Sequence, residues 1–259
     1  RGRRSIAAAG ALAGTAVCFD YSSGVVVLAL LGYCLFRHRR SVAWFLAGVI
    51  PPAIALGAYD WAAFGSPFRL SYRYVRNSYT EQQRHGLFGI GSPSWHGLWQ
   101  MLCGPRGLLV FSPVCAAAAV GLWLLWRRGD RAEALVAAVV TVAFVFVDAG
   151  YFLPYGGGSP GPRFFAPALP FLLLGLPAAF QRLPLTTIAL GLVSVVTMTV
   201  QALSWGVRSE LDHAYVPGKN EVMSTIWSLA GLNRDTGAIL VLLAALAAYA
   251  VAVVQARRA

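Results

Sequence analysis

Charge is what this sequence has least of. Only 12% of its 259 residues are Asp, Glu, Lys or Arg, against about a quarter in an ordinary soluble domain. Lysine is almost missing, since all but one of the 21 basic residues are arginine. There are four histidines and four cysteines, and neither type falls at metal-ligand spacing. The cysteines (Cys18, Cys34, Cys103 and Cys115) lie in or beside apolar blocks with no CxxC pair. They read as small core residues, not as a disulfide frame or metal site. No HExxH, GxSxG or phosphate-loop pattern occurs, and no internal repeat, coiled coil or low-complexity tail is present. These gaps leave no signal for zinc hydrolysis, a nucleophile elbow or nucleotide binding.

What fills the chain is apolar: 58% of residues are hydrophobic and the mean hydropathy is +0.62. The apolar residues fall in blocks long enough to cross a bilayer, which takes about 20 residues of helix. The expectation is an all-α polytopic membrane protein, a single transmembrane module over residues 1–259. Six spanning helices are expected at about 41–62, 107–126, 134–153, 164–181, 185–205 and 237–255.

Residues 5–36 form a further apolar stretch interrupted by "CFDYSSG". As one helix it would be about 48 Å long, too long for a hydrocarbon core of about 30 Å. Arginines flank both ends, in "RGRR" and "RHRR". Two short half-helices meeting inside the membrane, both ends cytoplasmic, fit better. Read instead as a signal peptide, the opening "RGRRSIAAAGALAGTAVC" puts Val17 before the cysteine, where a small residue is wanted, and stays apolar afterwards.

The positive-inside rule sets the orientation. Arg1, Arg3, Arg4, Arg37, Arg39, Arg40, Arg127, Arg128, Arg131, Arg182, Arg257 and Arg258 mark the cytoplasmic side, so both chain ends are expected there. The other side has long loops at 63–106 and 206–236 and a glycine loop at 154–163. It still carries Arg69, Arg73, Arg76, Arg84, Arg106, Arg163, Arg208, Lys219 and Arg234. The net charge is +11, and an outer face this basic invites an anion.

Arg163 follows that glycine loop in "YGGGSPGPRFFAPALP". A helix starting there directs free N–H groups and its positive dipole end outward beside the guanidinium, a good seat for phosphate. Pro162 suits its first turn, and Pro167, Pro170 and Pro177 would kink it. The other reading of Arg163 is an interfacial arginine snorkelling to lipid headgroups.

Asp148 sits about one turn below the outer end of its helix, and an acid inside a span is a functional-site hypothesis. It could pair with Arg163, bind a metal with a substrate phosphate, accept a substrate hydroxyl, or form a purely structural ion pair. Asp20 is expected to cap the second half-helix, and Asp60 to lie at the interface beside Trp61. Arg69, Arg73 and Arg76 fall at helical spacing, as one basic stripe on a helix lying on the membrane. Tyr72, Tyr74, Tyr79, Trp95 and Trp99 suit either an aromatic belt or sugar rings. His85 and His96 stand alone.

Three stretches, "YDWAAFGSPF", "CGPRGLLVFSP" and "GGGSPGPRFFAPALPFLLLGL", spanning about residues 58 to 176, together resemble the later half of bacterial polytopic glycosyltransferases of the GT-C fold. That group includes protein mannosyltransferases, aminoarabinose transferases and actinobacterial arabinofuranosyltransferases. The resemblance implies transfer of a sugar from a polyprenyl-phosphate donor to a cell-envelope glycan, lipid or protein acceptor on the extracytoplasmic face of a bacterial plasma membrane. It implies no nucleic-acid partner. The family's general base is an acid in its first external loop. Nothing here matches that loop, so the chain is expected to be a C-terminal portion without a catalytic residue of its own.

On the same resemblance Arg163 is the first choice to bind the donor phosphate, with Arg106, Arg73, Arg76 and Tyr155 as helpers. Asp148 would support Arg163, and Trp95, His96 and Trp99 would contact sugar or acceptor. No cofactor is fixed; a divalent cation, Mg2+ or Mn2+, is left open. The loop "GGGSPGPR" departs from the family's aromatic-rich "GGWSYGPR" and offers less stacking surface to any particular sugar. A transporter or flippase of an anionic lipid-linked precursor and a non-catalytic scaffold subunit are the alternatives.

Overall fold

A computed structural model describes residues 2–74, 80–84, 86, 89–156 and 161–209, together with positions 243 and 247. The described residues are mostly helical, with no strand and a single isolated antiparallel bridge between Ile90 and Tyr151. Three helical runs are long and apolar enough to cross a membrane: Arg39–Phe64, Arg131–Gly150 and Arg163–Arg182. A fourth arises if the bent pair Trp95–Phe111 and Val114–Arg128 counts as one span. Apart from positions 243 and 247, the expected helix at 237–255 lies outside the described residues, as does nearly all of the 206–236 loop.

The N-terminal stretch is broken where its length requires. Helix α1 (Arg3–Phe19) and helix α2 (Gly24–Arg37) are joined by a 3-10 turn, Tyr21–Ser23. At 17 and 14 residues they reach about 25 and 21 Å, so neither crosses a 30 Å core alone. Asp20 is extended, and its carboxylate accepts from the Ser22 amide at 2.9 Å, the capping role expected of it.

Helix α3 (Val42–Phe64) lies along α1 at close range. A methyl group on Gly10 would overlap the Phe45 carbonyl, and one on Gly48 would overlap that of Ala7. Small residues allow this backbone approach, and in lipid such packing, rather than exclusion of water, holds helices together. Pro51 and Pro52 sit inside α3 without ending it. Gly65 closes the helix in the left-handed conformation at φ 74°.

Beyond α3 the sequence expectation needs correcting. Residues 63–106 are not one loop: they hold a 3-10 turn (Ser71–Arg73), helix α4 (Thr80–Arg84) and helix α5 (Trp95–Cys103). Ser94 caps α5 by accepting from the Gly97 amide at 2.9 Å. The expected helix at 107–126 is divided into α6 (Leu108–Phe111) and α7 (Val114–Arg128), and the run Trp95–Phe111 meets α7 at a 94° bend. Pro113 supplies no N–H to bridge the joint.

Helix α8 (Arg131–Gly150) lies three residues earlier at each end than the expected 134–153. At 20 residues it is about 30 Å long. Its residues Ala137, Val140 and Phe144 recur on one face and form the core with Val26 of α2, Met101, Phe165 and Leu172. The run Arg163–Arg182 is long and apolar enough to cross a membrane, yet it is irregular. It begins with a 3-10 segment, Arg163–Ala168, followed by α9 (Leu169–Leu172), another 3-10 turn and α10 (Leu176–Arg182). Pro167, Pro170 and Pro177 each remove an amide donor and account for this alternation. Helix α11 (Pro184–Ser209) extends four residues past its expected end.

The basic helix ends gather at one end of the bundle. Arg128 donates to Gln181 at 2.6 Å, and Tyr33 near the end of α2 donates to Glu133 near the start of α8 at 2.7 Å. Asp20, Asp148 and Arg163 therefore lie at the opposite end, the one read from sequence as external. Of the cysteines, all free, Cys34 and Cys115 are buried, Cys103 is half-buried and Cys18 is exposed.

Candidate functional site

Backbone hydrogen bonds bring distant parts of the chain together at that end. Gly91 donates to the Gly150 carbonyl at 2.8 Å, Phe152 to that of Gly89 at 3.2 Å, and Ser94 to that of Ala149 at 3.4 Å. The segment before α5 is thereby sewn to the end of α8, which fixes Tyr151. The Tyr151 ring then meets Phe164 edge-on at 4.8 Å, and Tyr72 meets Tyr21 at 5.7 Å.

These residues enclose a small pocket of about 200 Å³, walled by Asp20, Tyr21, Ser22, Tyr72, Tyr151 and Phe164. Asp20, Tyr21 and Tyr72 are also shared with a second cavity of about 480 Å³ that reaches Tyr59 and Ser71. That cavity shares Val17 and Leu56 with a third, an apolar groove of about 1060 Å³. The groove runs between α1, α2 and α3 over Val27, Leu28, Ile50 and Ile54 to Trp61 and Phe68. Its wall is almost wholly hydrocarbon, with Asp60 the exception. Neighbouring cavities thus lead from apolar to polar surroundings and end at the aspartate and tyrosines.

Arg163 stands at the rim. Its side chain is exposed, its guanidinium lies 5.1 Å from the Phe164 ring, and its charge acts on Tyr72. Burial chiefly pushes the Tyr72 phenol above its ordinary range; the charges of Asp20 and Tyr151 add to this and Arg163 opposes it. Two expectations about Arg163 are corrected. The helix it opens is 3-10 for six residues, so no regular α-helical N-terminus presents its amides beside the guanidinium. Nor is Asp148 its ion-pair partner. Asp148 is fully buried, and neither carboxylate oxygen has a hydrogen-bond partner.

The other expected site residues are dispersed. Arg106 is 7% exposed, and its guanidinium lies 5.7 Å from the Tyr155 ring. The Tyr155 hydroxyl donates to Gln100 Oε1. Arg106 and Tyr155 therefore brace the loop against α5, beneath its surface. Trp95 and Trp99 are 80% and 49% exposed and His96 is exposed; none of them borders the pocket. Arg73 ends the turn that carries Tyr72, while Arg76 and His85 lie outside the described residues. Arg69 is no part of a helical stripe, since its guanidinium donates back to the Phe64 carbonyl at 3.1 Å. Asp60, expected at the interface, is 1% exposed.

Sequence reasoning missed Tyr21, Ser22 and Tyr151 as wall residues and Asp20 as more than a cap. The available signal was "FDYSS", four polar or amphipathic groups at a helix break inside an apolar stretch. Among the described residues no cluster of three or more His, Cys, Asp or Glu side chains could hold a metal ion. Compared with protein-family models, curated proteins and solved structures, the chain matches none.

Proposed function

We propose that the chain is the membrane-embedded part of a GT-C-type glycosyltransferase, moving a sugar from a polyprenyl-phosphate donor to a cell-envelope acceptor on the extracytoplasmic face of a bacterial plasma membrane. The full protein would be multi-pass, with the six spans and cytoplasmic ends read from sequence. The observation that carries this reading is the run of adjoining cavities from an apolar groove of about 1060 Å³ to an aspartate- and tyrosine-walled pocket beside Arg163.

Each part suits one part of such a donor. An isoprenoid chain is pure hydrocarbon and fits a groove between α1, α2 and α3. A pyranose or furanose ring has apolar faces and hydroxyl edges. Tyr21, Tyr72, Tyr151 and Phe164 offer ring faces, and the Asp20 carboxylate accepts from hydroxyls. The lipid phosphate gains negative charge as the sugar departs, and a fixed guanidinium at the rim stabilises that charge. Arg163 is the donor-phosphate residue on this reading. Asp148, Arg106 and Tyr155 act behind it, as support for the walls.

The test is Arg163→Lys in the full-length protein. Lysine keeps the charge and loses the two-pronged hydrogen bonding. Transfer of radiolabelled sugar from polyprenyl phosphate should drop sharply while membrane expression is retained. Unchanged transfer removes Arg163 from the phosphate site. Lipid translocation by reconstituted protein with no sugar transfer would instead favour a flippase.

A further inference from the structure

Asp148 continues the core-facing stripe of α8: Ala137, Val140, Phe144 and then Asp148, spaced by three and four residues. Phe144 shares the core with Val26 of α2. One turn outward on α8 is Asp148, and one turn outward on the α2 side is Ser22. The two side chains therefore stand at the same level on packed elements, just below the small pocket, whose wall includes Ser22, Val147 and Tyr151.

Neither side chain reaches the other. Both Asp148 carboxylate oxygens and Ser22 Oγ are buried without a hydrogen-bond partner. An orphaned buried polar group costs about 1–3 kcal/mol, and more if it is charged. Protonation would remove the cost of burying the charge and still leave an O–H without an acceptor. Asp20 lies within electrostatic range of Asp148, which deepens the negative potential between α2 and α8. Its Oδ1 already caps Ser22, leaving the second carboxylate oxygen for another partner.

We infer that Asp148, Asp20 and Ser22 form a binding site for one divalent cation of the Mg2+ class, set beneath the tyrosine-walled pocket. Two carboxylates and a hydroxyl match the hard oxygen ligands such a cation takes. It ordinarily keeps waters or phosphate oxygens in its remaining positions. The two negative charges would balance the ion within a water-poor bundle. On the proposed glycosyl-transfer reading those remaining positions face the donor phosphate, but the site itself does not depend on that reading.

Mn2+ alone is the probe. The whole chain is purified in detergent, stripped with EDTA and titrated with MnCl2, and free Mn2+ is followed by its electron paramagnetic resonance signal. The expected result is a single Mn2+ per chain, displaced by excess Mg2+. Asp148→Asn and Asp20→Asn should each weaken binding by about tenfold or more, and Ser22→Ala by less. Asp130→Asn, at the far end of α8, should bind as the parent does. Asp20→Asn and Ser22→Ala keep the test open should Asp148→Asn fail to fold, as checked by circular dichroism. No retained Mn2+ in the parent chain, or equal binding in Asp20→Asn and Asp130→Asn, overturns the site. Because no lipid is present, failure here is separable from failure of the donor reading.

Discussion

Thr197 of α11 donates from Oγ1 to the Phe111 carbonyl at 2.6 Å, across 86 residues of sequence. One turn earlier on the same helix, Ser194 Oγ accepts from the Val114 amide at 3.0 Å. Phe111 and Val114 flank the Ser112–Pro113 break between α6 and α7. A broken helix in lipid leaves backbone groups that water cannot reach, so neighbouring helices must satisfy them. Two hydroxyls at i and i+3 do so here.

Removing those hydroxyls should therefore cost more than an ordinary surface change. Thr197→Val keeps the shape and orphans the Phe111 carbonyl; Ser194→Ala orphans the Val114 amide. Each should destabilise by about 1–3 kcal/mol. Thermal unfolding in detergent checks this, with Thr199→Val, an exposed position on the same helix, as the control that should shift little.

Enlarging Gly48 should separate α1 from α3. Any Cβ there overlaps the Ala7 carbonyl, which is backbone and cannot swing aside. Overpacking costs about 1–3 kcal/mol, and occasionally more, where relief requires helices to move. Gly48→Val should lower the unfolding temperature measurably. The same exchange at Gly32 of α2, where a Cβ meets nothing within 4 Å, should be tolerated.

Tyr72 links the site to pH. Burial, then Asp20 and Tyr151, hold its phenol above the ordinary value, so the native state keeps the proton to higher pH than the unfolded chain does. Its contribution to stability is complete below about pH 10 and is lost as pH rises through the folded value. Asp20→Asn should shift the Tyr72 titration down. Arg163→Gln should shift it up, because the Arg163 charge opposes the rise. Tyrosinate absorbance, differenced against Tyr72→Phe, reads both shifts. Identical titrations in both variants would mean that neither charge acts on the phenol.

The parts of this architecture legible in the sequence are those set by local chemistry. Helices α3 and α8 are apolar runs of spanning length with arginines at one end. The break at Asp20 follows from a stretch too long for the bilayer with polar residues at its middle. The joint at Ser112–Pro113 was not legible, because a proline suits a helix start as well as a break. Its hydroxyl partners also lie about eighty residues away. The pocket was not legible for the same reason. Its walls come from the α1–α2 turn, the turn after α3, the segment before α5, the end of α8 and the start of the next run. Arg163 lies at that end with an exposed side chain. Its imagined partner, Asp148, follows the core stripe of α8 inward and leaves the arginine at the rim.

The groove makes a claim about chain length that the pocket does not. Ala53 lies on the exposed face of α3 and lines the groove; Phe at this position projects a ring into the path of a bound hydrocarbon. Each methylene buried in the groove contributes up to about 0.8 kcal/mol relative to water, and much less relative to lipid, so the loss should grow with the length of chain displaced. Ala53→Phe should therefore weaken binding of a long polyprenyl phosphate in detergent. A short-chain phosphate, which reaches only the polar end beside Asp20 and Arg163, should bind as before. Native mass spectrometry of the purified chain with each phosphate measures the contrast. If both phosphates weaken equally, the substitution has disturbed the polar end or the fold. If neither does, the hydrocarbon lies on another face of the bundle and the groove has no part in holding it.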